Sequence, residues 1–476
     1  MVLNGLNMSG AGNITVNQGT LRLIEDYGGP QQSMTLNGSG NFTINSGASV
    51  WIQRWGVGFT MNMPLVLNGG SIGSYWPGPN GATLASPVSV TAASTMNFGG
   101  GYGSITFSGP ISGSGNLSRV GGDTVTFTGD TSGFTGNFSN SANVVFNRTG
   151  TQTLNGNVTS TADVYFYSTT MNLASSGVST SANYTFVGAG AALNVDRGMT
   201  ITGSGGLQTI NATGTGTINV NAGGTLTQNG SGGMIIGQNA ANHNGVLNVA
   251  GTFTQNAGSA MFGNNVATAT GTLNVNSGGT VTFGAGMTAS SASGSGGASG
   301  VVLGRDGAVG TFNLNAGGVL ASAKDIIRGT GTGNFNFNGG TLRALGGSTA
   351  FLDVTTTTVN SGGAVVDSNG FDITIVDGLT AGSGSGGLTK IGTGVLTLQG
   401  ANTYAGATTV NAGSLTVSGA GTLSATSALN LAAGAQFNYA PTTVGTTLSV
   451  GTGATTASLG NDSTVGLTWN GATASR

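Results

Sequence analysis

The thirteen residues GTLNVNSGGTVTF, Gly271–Phe283, decide the fold. Leu273 and Val275 alternate with Asn274 and Asn276, and Val281 alternates with Thr280 and Thr282. Period-two alternation of apolar and small polar residues predicts short strands with one face buried, and Ser-Gly-Gly predicts the turn between them. A helix is excluded because no 3.6-residue apolar stripe is present and glycine is too frequent for a helix interior.

The same pattern recurs outward from this stretch. GTINVNAGGTLTQ begins at Gly216, GVLNVAGTFTQ at Gly245, GTFNLNAGGVLAS at Gly310 and GNFNFNGGTLRA at Gly333, so successive copies start 29, 26, 39 and 23 residues apart. Between them lies a third element: MIIGQN from Met234, AMFGNN from Ala260, VVLGRD from Val301 and IIRGTG from Ile326. Three short strands per unit, at such a period, form one turn of a solenoid that buries its apolar side only by stacking on neighbours. The prediction is an all-β, right-handed parallel β-helix, with outward Asn and Thr forming ladders. Residues 287–300 are read as a loop insertion that accounts for the longest spacing. A looser version of the plan begins the chain, GAGNITVNQGTLRL from Gly10 and GSGNFTINSGASVWI from Gly38, and residues 1–476 are expected to form one continuous solenoid.

Composition agrees. Of 476 residues 92 are glycine and only 24 are charged, and the net charge is −2. Disorder pairs low hydrophobicity with high net charge, whereas Val, Leu, Ile and Phe recur here throughout. The eleven basic residues are too scattered to neutralise a run of phosphates, so nucleic acid is not an expected partner. No apolar run approaches the ~20 residues that span a bilayer. The absence of cysteine excludes disulfides as a source of stability. MVLNGLNMSG at the start shows no signal peptide and TWNGATASR at the end shows no anchor, so the chain is expected to be a segment of a longer protein.

The stretch GGLTKIGTGVLTLQGANTYAGATTVNAGSLTVSG, residues 386–419, resembles the autotransporter-associated β-strand repeat, also called the passenger-associated transport repeat. The resemblance rests on Gly387, Leu388, Lys390, Gly392, Gly394, Leu396, Leu398, Gly400, Asn402, Tyr404, Gly406, Thr408, Val410, Gly413 and Leu415. A degenerate copy occupies residues 113–146, where Arg119 replaces the lysine, Phe134 replaces the tyrosine, and one residue is inserted after Gly129. The resemblance implies an autotransporter passenger-like β-helix at the surface of, or secreted by, a Gram-negative bacterium. It also implies that the repeat assists export and folding. From the residues alone, Lys390 is expected to be a solvated turn residue and Tyr404 to cover a corner.

Chemistry is sparse. β-Helical polysaccharide lyases and hydrolases need clustered carboxylates. The densest group here is Asp353, Asp367, Asp372 and Asp377, read as turn and surface aspartates, with a weak Ca²⁺ site as the alternative. His243, the one histidine, lies in NAANHNG and is expected to be a solvated loop residue. No catalytic, metal or cofactor site is expected. Trp51, Trp55, Tyr75 and Trp76 are candidate glycan-stacking residues, because Val50 and Ile52 should point inward and aromatic faces suit the C–H faces of sugar rings.

The expected function is a non-enzymatic extracellular structural or adhesive rod. Its expected partners are a glycan or host-surface ligand and further copies stacked through the solenoid ends. A polysaccharide-binding or polysaccharide-degrading β-helix is the alternative. Ice binding is a third, from the outward pairs Thr225/Thr227, Thr252/Thr254 and Thr280/Thr282, which Val319–Ala321 and Leu342–Ala344 interrupt.

Overall fold

The computed structural model describes residues 1–4, 9–24, 34–53, 59–75, 82–99, 105–174, 177–210, 213–238, 240–289, 300–384, 386–423, 425–441, 456–459 and 464–467. The described residues contain strands and turns and no helix. The strands pair in parallel with the next turn of the chain and form a β-solenoid. Two compact units are present, Met1–Gly206 and Leu207–Arg476.

In the first unit a turn is built from three strands, for example Phe42–Asn45, Ala48–Gln53 and Phe59–Met61, and each stacks on its counterpart one turn later. Alternation sends every second residue inward, so register builds continuous columns. One runs Ile14, Phe42, Leu65, Val88, Ile111. Another carries Phe107, Phe127, Phe146 and Phe166, whose ring centroids lie 5.4, 5.2 and 5.6 Å apart. Beyond Phe134 the faces merge: the eleven-residue strand Val144–Leu154 covers two of them and bends at an irregularity between Asn147 and Gly150.

The second unit contains the array read from the sequence, in the register that the repeats predict. Gly216, Gly245, Gly271, Gly310 and Gly333 are successive partners, and so are Met234, Ala260, Val301 and Ile326. The glycine inside the third element has a physical cause. Gly237, Gly263 and Gly304 have φ of +80°, +73° and +67°. A Cβ at any of them would overlap the carbonyl oxygen of Thr270, Val309 or Thr332, respectively.

Outward asparagines form the expected ladder. The Nδ2 of Asn248 donates to the Oδ1 of Asn219 at 2.8 Å, Asn274 to Asn248 at 2.7 Å, Asn313 to Asn274 at 2.7 Å and Asn336 to Asn313 at 2.8 Å. The threonine rows Thr225–Thr252–Thr280 and Thr227–Thr254–Thr282 stack in register as well, and continue into Val319–Thr341 and Ala321–Arg343. Residues 290–299 of the expected loop insertion lie outside the described residues.

Candidate functional site

The segment 386–419 supplies strands Leu388–Ile391, Val395–Leu398, Thr408–Val410 and Ser414–Gly419. They make two successive layers, with Leu388–Lys390 on Thr408–Val410 and Val395–Leu398 on Ser414–Val417. The third face has no strand here, and side chains replace its ladder. Asn402 is buried; its Oδ1 accepts from the amide of Leu379 at 3.0 Å, and its Nδ2 donates to the carbonyls of Gly400 and Thr422 at 2.9 Å each. One side chain therefore ties a turn to the turns on both sides, meeting the requirement that buried backbone groups be paired.

Tyr404 points inward rather than over the surface of a corner, and is 1% exposed. Its hydroxyl lies 2.6 Å from that of Thr408, which lies 2.9 Å from the hydroxyl of Thr426, which donates to the carbonyl of Gly406 at 2.7 Å. Burial raises the phenol pKa above its ordinary value.

Lys390 overturns the expectation of a solvated turn residue. It is fully buried, in a column otherwise made of Leu342, Val366, Val410 and Leu431. Its ammonium donates to the carbonyls of Ile391 at 3.0 Å, Gly392 at 2.7 Å and Ala412 at 3.1 Å. The corner turns on Gly392 and Gly394, with φ of +76° and +96°, and directs those carbonyls toward the core. A long cation is the side chain that satisfies several of them at once. Burial pushes the ammonium pKa down to about 8, opposed by the charge of Asp367. Alternation could have located it: with Leu388 inside and Thr389 outside, position 390 faces inward.

The degenerate copy repeats the device. Arg119 is fully buried in the column Leu21, Val50, Ile72, Met96. Its Nη1 donates to the carbonyls of Val120 and Gly121, the next two residues, as Lys390 does to Ile391 and Gly392. Gly121 has φ of +98°. Burial pushes the guanidinium pKa down to about 10, against the charge of Asp123. Phe134, in place of Tyr404, is likewise buried.

His243 is a second correction. It opens the strand His243–Val249 and is fully buried. Its parity with Gly245, Leu247 and Val249 turns the ring inward, opposite Gly214 on the preceding turn.

The aspartates serve the backbone. Asp367 pairs with Arg343 at 3.3 Å and accepts from the amide of Asn369 at 2.9 Å. Asp372 accepts from the amide of Val395 at 2.9 Å, and Asp377 from that of Val354 at 2.6 Å. Burial raises the pKa of Asp377, against that hydrogen bond. Among the described residues no three His, Cys, Asp or Glu side chains gather as a metal site. Trp51 lies half-buried on the outer face between Arg22 and Gly73 in register, with Val50 and Ile52 inside. Trp55, Trp76 and the side chain of Tyr75 lie outside the described residues.

Comparison with known proteins places a family on the segment just described. Residues 388–417 match the model of the passenger-associated-transport-repeat. No curated protein sequence matches the chain. Among solved structures, the crystal structure of a TibC-catalysed, hyper-glycosylated TibA fragment is similar at 20% identity over 75% of this chain and 97% of that one, with a TM-score of 0.28. The chain is a parallel β-solenoid that carries a passenger-associated-transport-repeat at residues 388–417.

Proposed function

We propose that this protein is a non-enzymatic structural or adhesive rod displayed outside a Gram-negative bacterium, its turns spacing and presenting binding surface. The observation that carries the reading is the transport repeat, whose polar side chains Lys390, Asn402 and Tyr404 all face inward and bind neighbouring groups of the chain. Polar groups committed in this way stabilise a stack and are unavailable to a substrate. The carboxylates of Asp372 and Asp377 are similarly engaged with the backbone of adjacent turns, and that of Asp367 with Arg343 and the amide of Asn369. A solenoid also continues its ladder into a second copy wherever an end strand is open, so end-to-end association is part of the proposal.

Two measurements test it. Intact cells producing the protein behind an outer-membrane barrel are treated with an external protease, and the purified chain is incubated with polyuronates and neutral glycans. The expected result is protease-accessible protein at the surface and no released oligosaccharide. Retention inside the cell refutes the location, and catalytic turnover of any glycan refutes the non-enzymatic reading.

A further inference from the structure

The first unit presents four aromatic side chains on one outer face, apart from every residue so far assigned a role. In the strand Val164–Leu173, Val164 and Phe166 point inward, which sends Tyr165 and Tyr167 outward. One turn later Thr185 and Val187 point inward, and Tyr184 and Phe186 outward. Tyr165 and Phe186 are register partners, with ring centroids 4.7 Å apart and planes 17° from parallel. Tyr167 lies 6.0 Å from Tyr165 at 20°, and Tyr184 lies 5.5 Å from Phe186 at 13°. At these separations the rings are slid past one another, and all four residues remain half-buried, so part of the array faces solvent. Gly188 permits this: a side chain there would collide with the ring of Tyr167.

A carboxylate stands at the edge of the array. Asp163 accepts a hydrogen bond from the hydroxyl of Tyr165 at 3.1 Å through one oxygen and from the amide of Tyr184 at 3.2 Å through the other. A carboxylate has about four acceptor positions, so it retains capacity for ligand hydroxyls. Asp163 is the one charged residue between positions 149 and 195, and Arg148, which follows Asn147, the register partner of Tyr167, is engaged with Asp130 at 4.0 Å and with the carbonyl of Thr151 at 3.0 Å. Near-parallel rings with a hydrogen-bond acceptor and a neutral, hydroxyl-rich surround match one chemistry: the C–H face of a neutral pyranose lies on an aromatic ring while its hydroxyls reach the acceptor.

We propose that Tyr165, Tyr167, Tyr184 and Phe186, with Asp163, form a docking platform for a neutral hexopyranose glycan. The assignment rests on the adhesive reading and names its ligand class. Calorimetry of the 476-residue chain against neutral gluco-, manno- and galacto-hexasaccharides, with hexagalacturonate as the charged control, tests it. Saturable binding to at least one neutral oligosaccharide is expected, with weaker or absent uronate binding. Phe186→Ala and Tyr167→Ala should each weaken it by about tenfold without shifting the melting temperature by more than a few degrees, and Trp51→Ala should leave it unchanged.

Absence of binding to all three neutral ligands overturns the platform, as does wild-type affinity in both aromatic variants. Loss of binding in Trp51→Ala alone overturns its location. If Phe186→Ala alters only sedimentation and no sugar binds, the array is a contact between copies of the chain and the glycan assignment fails. Each of these results leaves surface exposure to protease untouched, so the inference can fail while the rod reading stands.

Discussion

Replacing Lys390 with methionine keeps a buried chain of similar length and removes the ammonium. The carbonyls of Ile391, Gly392 and Ala412 then lose their shared donor inside the solenoid. A hydrogen bond to a charged group contributes about 1.5–3 kcal/mol, and an acceptor left unpaired in the interior costs about 1–3 kcal/mol. Relief of the ammonium's desolvation offsets part of this, and the expected net loss is about 3 kcal/mol, concentrated in the turns around the corner. Because a solenoid opens turn by turn, hydrogen exchange of peptides within 388–417 is the direct assay, supported by urea unfolding.

The pH dependence gives an independent check. The folded ammonium titrates at about 8 and the ordinary lysine value is 10.5. Between these values the unfolded chain holds a proton that the folded corner has released, so stability from this group rises with pH across the window and is level below it. Taking the difference between wild type and Lys390→Met isolates the contribution of this group, and the rise should appear in that difference. Lys390→Arg, the exchange already present at position 119, should cost less than the methionine variant. Exchange protection of Lys390→Met within about 0.5 kcal/mol of wild type would refute the corner-cap reasoning.

Leu396→Asp places a carboxylate in a core column between Ile373 and Leu415 and should cost several kcal/mol; Thr397→Asp, on the outer row, should cost less than about 1 kcal/mol in the same urea titration. Asn274→Ala removes a ladder rung bonded on both sides, for about 1–3 kcal/mol, whereas Asn219→Ala breaks one such bond and should cost roughly half as much. Gly237→Ala should be the most damaging small substitution in the second unit, since φ is +80° and the added methyl overlaps the Thr270 carbonyl; melting temperatures compared with Gly346→Ala, where an added methyl would meet nothing nearer than 3.7 Å, would show it.

The register of the second unit was legible because each copy begins with glycine and repeats its apolar parity, so aligning the five copies aligns the strands. Polarity misled at Lys390 and His243. Both obey the parity of their strands, but their residue types argue for solvent, and at Lys390 only knowledge of which corner carbonyls turn inward reverses that argument. The same blindness applies to Gln228, buried at a strand end, whose Nε2 donates to the carbonyls of Gly230 and Gly233 at 3.0 Å each. The outward Tyr165 and Tyr167 were available from parity with Val164 and Phe166. The stacking with the next turn required the register of Tyr165 on Phe186.

The claim beneath all of this is that consecutive turns lie directly over one another in fixed register, and the lack of cysteine makes it measurable. Thr254 and Thr282 are partners on adjacent turns, and Thr227 is one turn further from Thr282. Adjacent strands stand about 4.8 Å apart, inside the Cα separation a disulfide bridges, while two turns separate Cα atoms by about 9.6 Å, beyond its limit of about 7 Å. Under mild oxidation, the pair Thr254→Cys with Thr282→Cys should cross-link nearly completely without loss of stability, and the pair Thr227→Cys with Thr282→Cys should remain reduced. Efficient closure of the second pair, or failure of the first in a folded protein, would contradict the stacked solenoid.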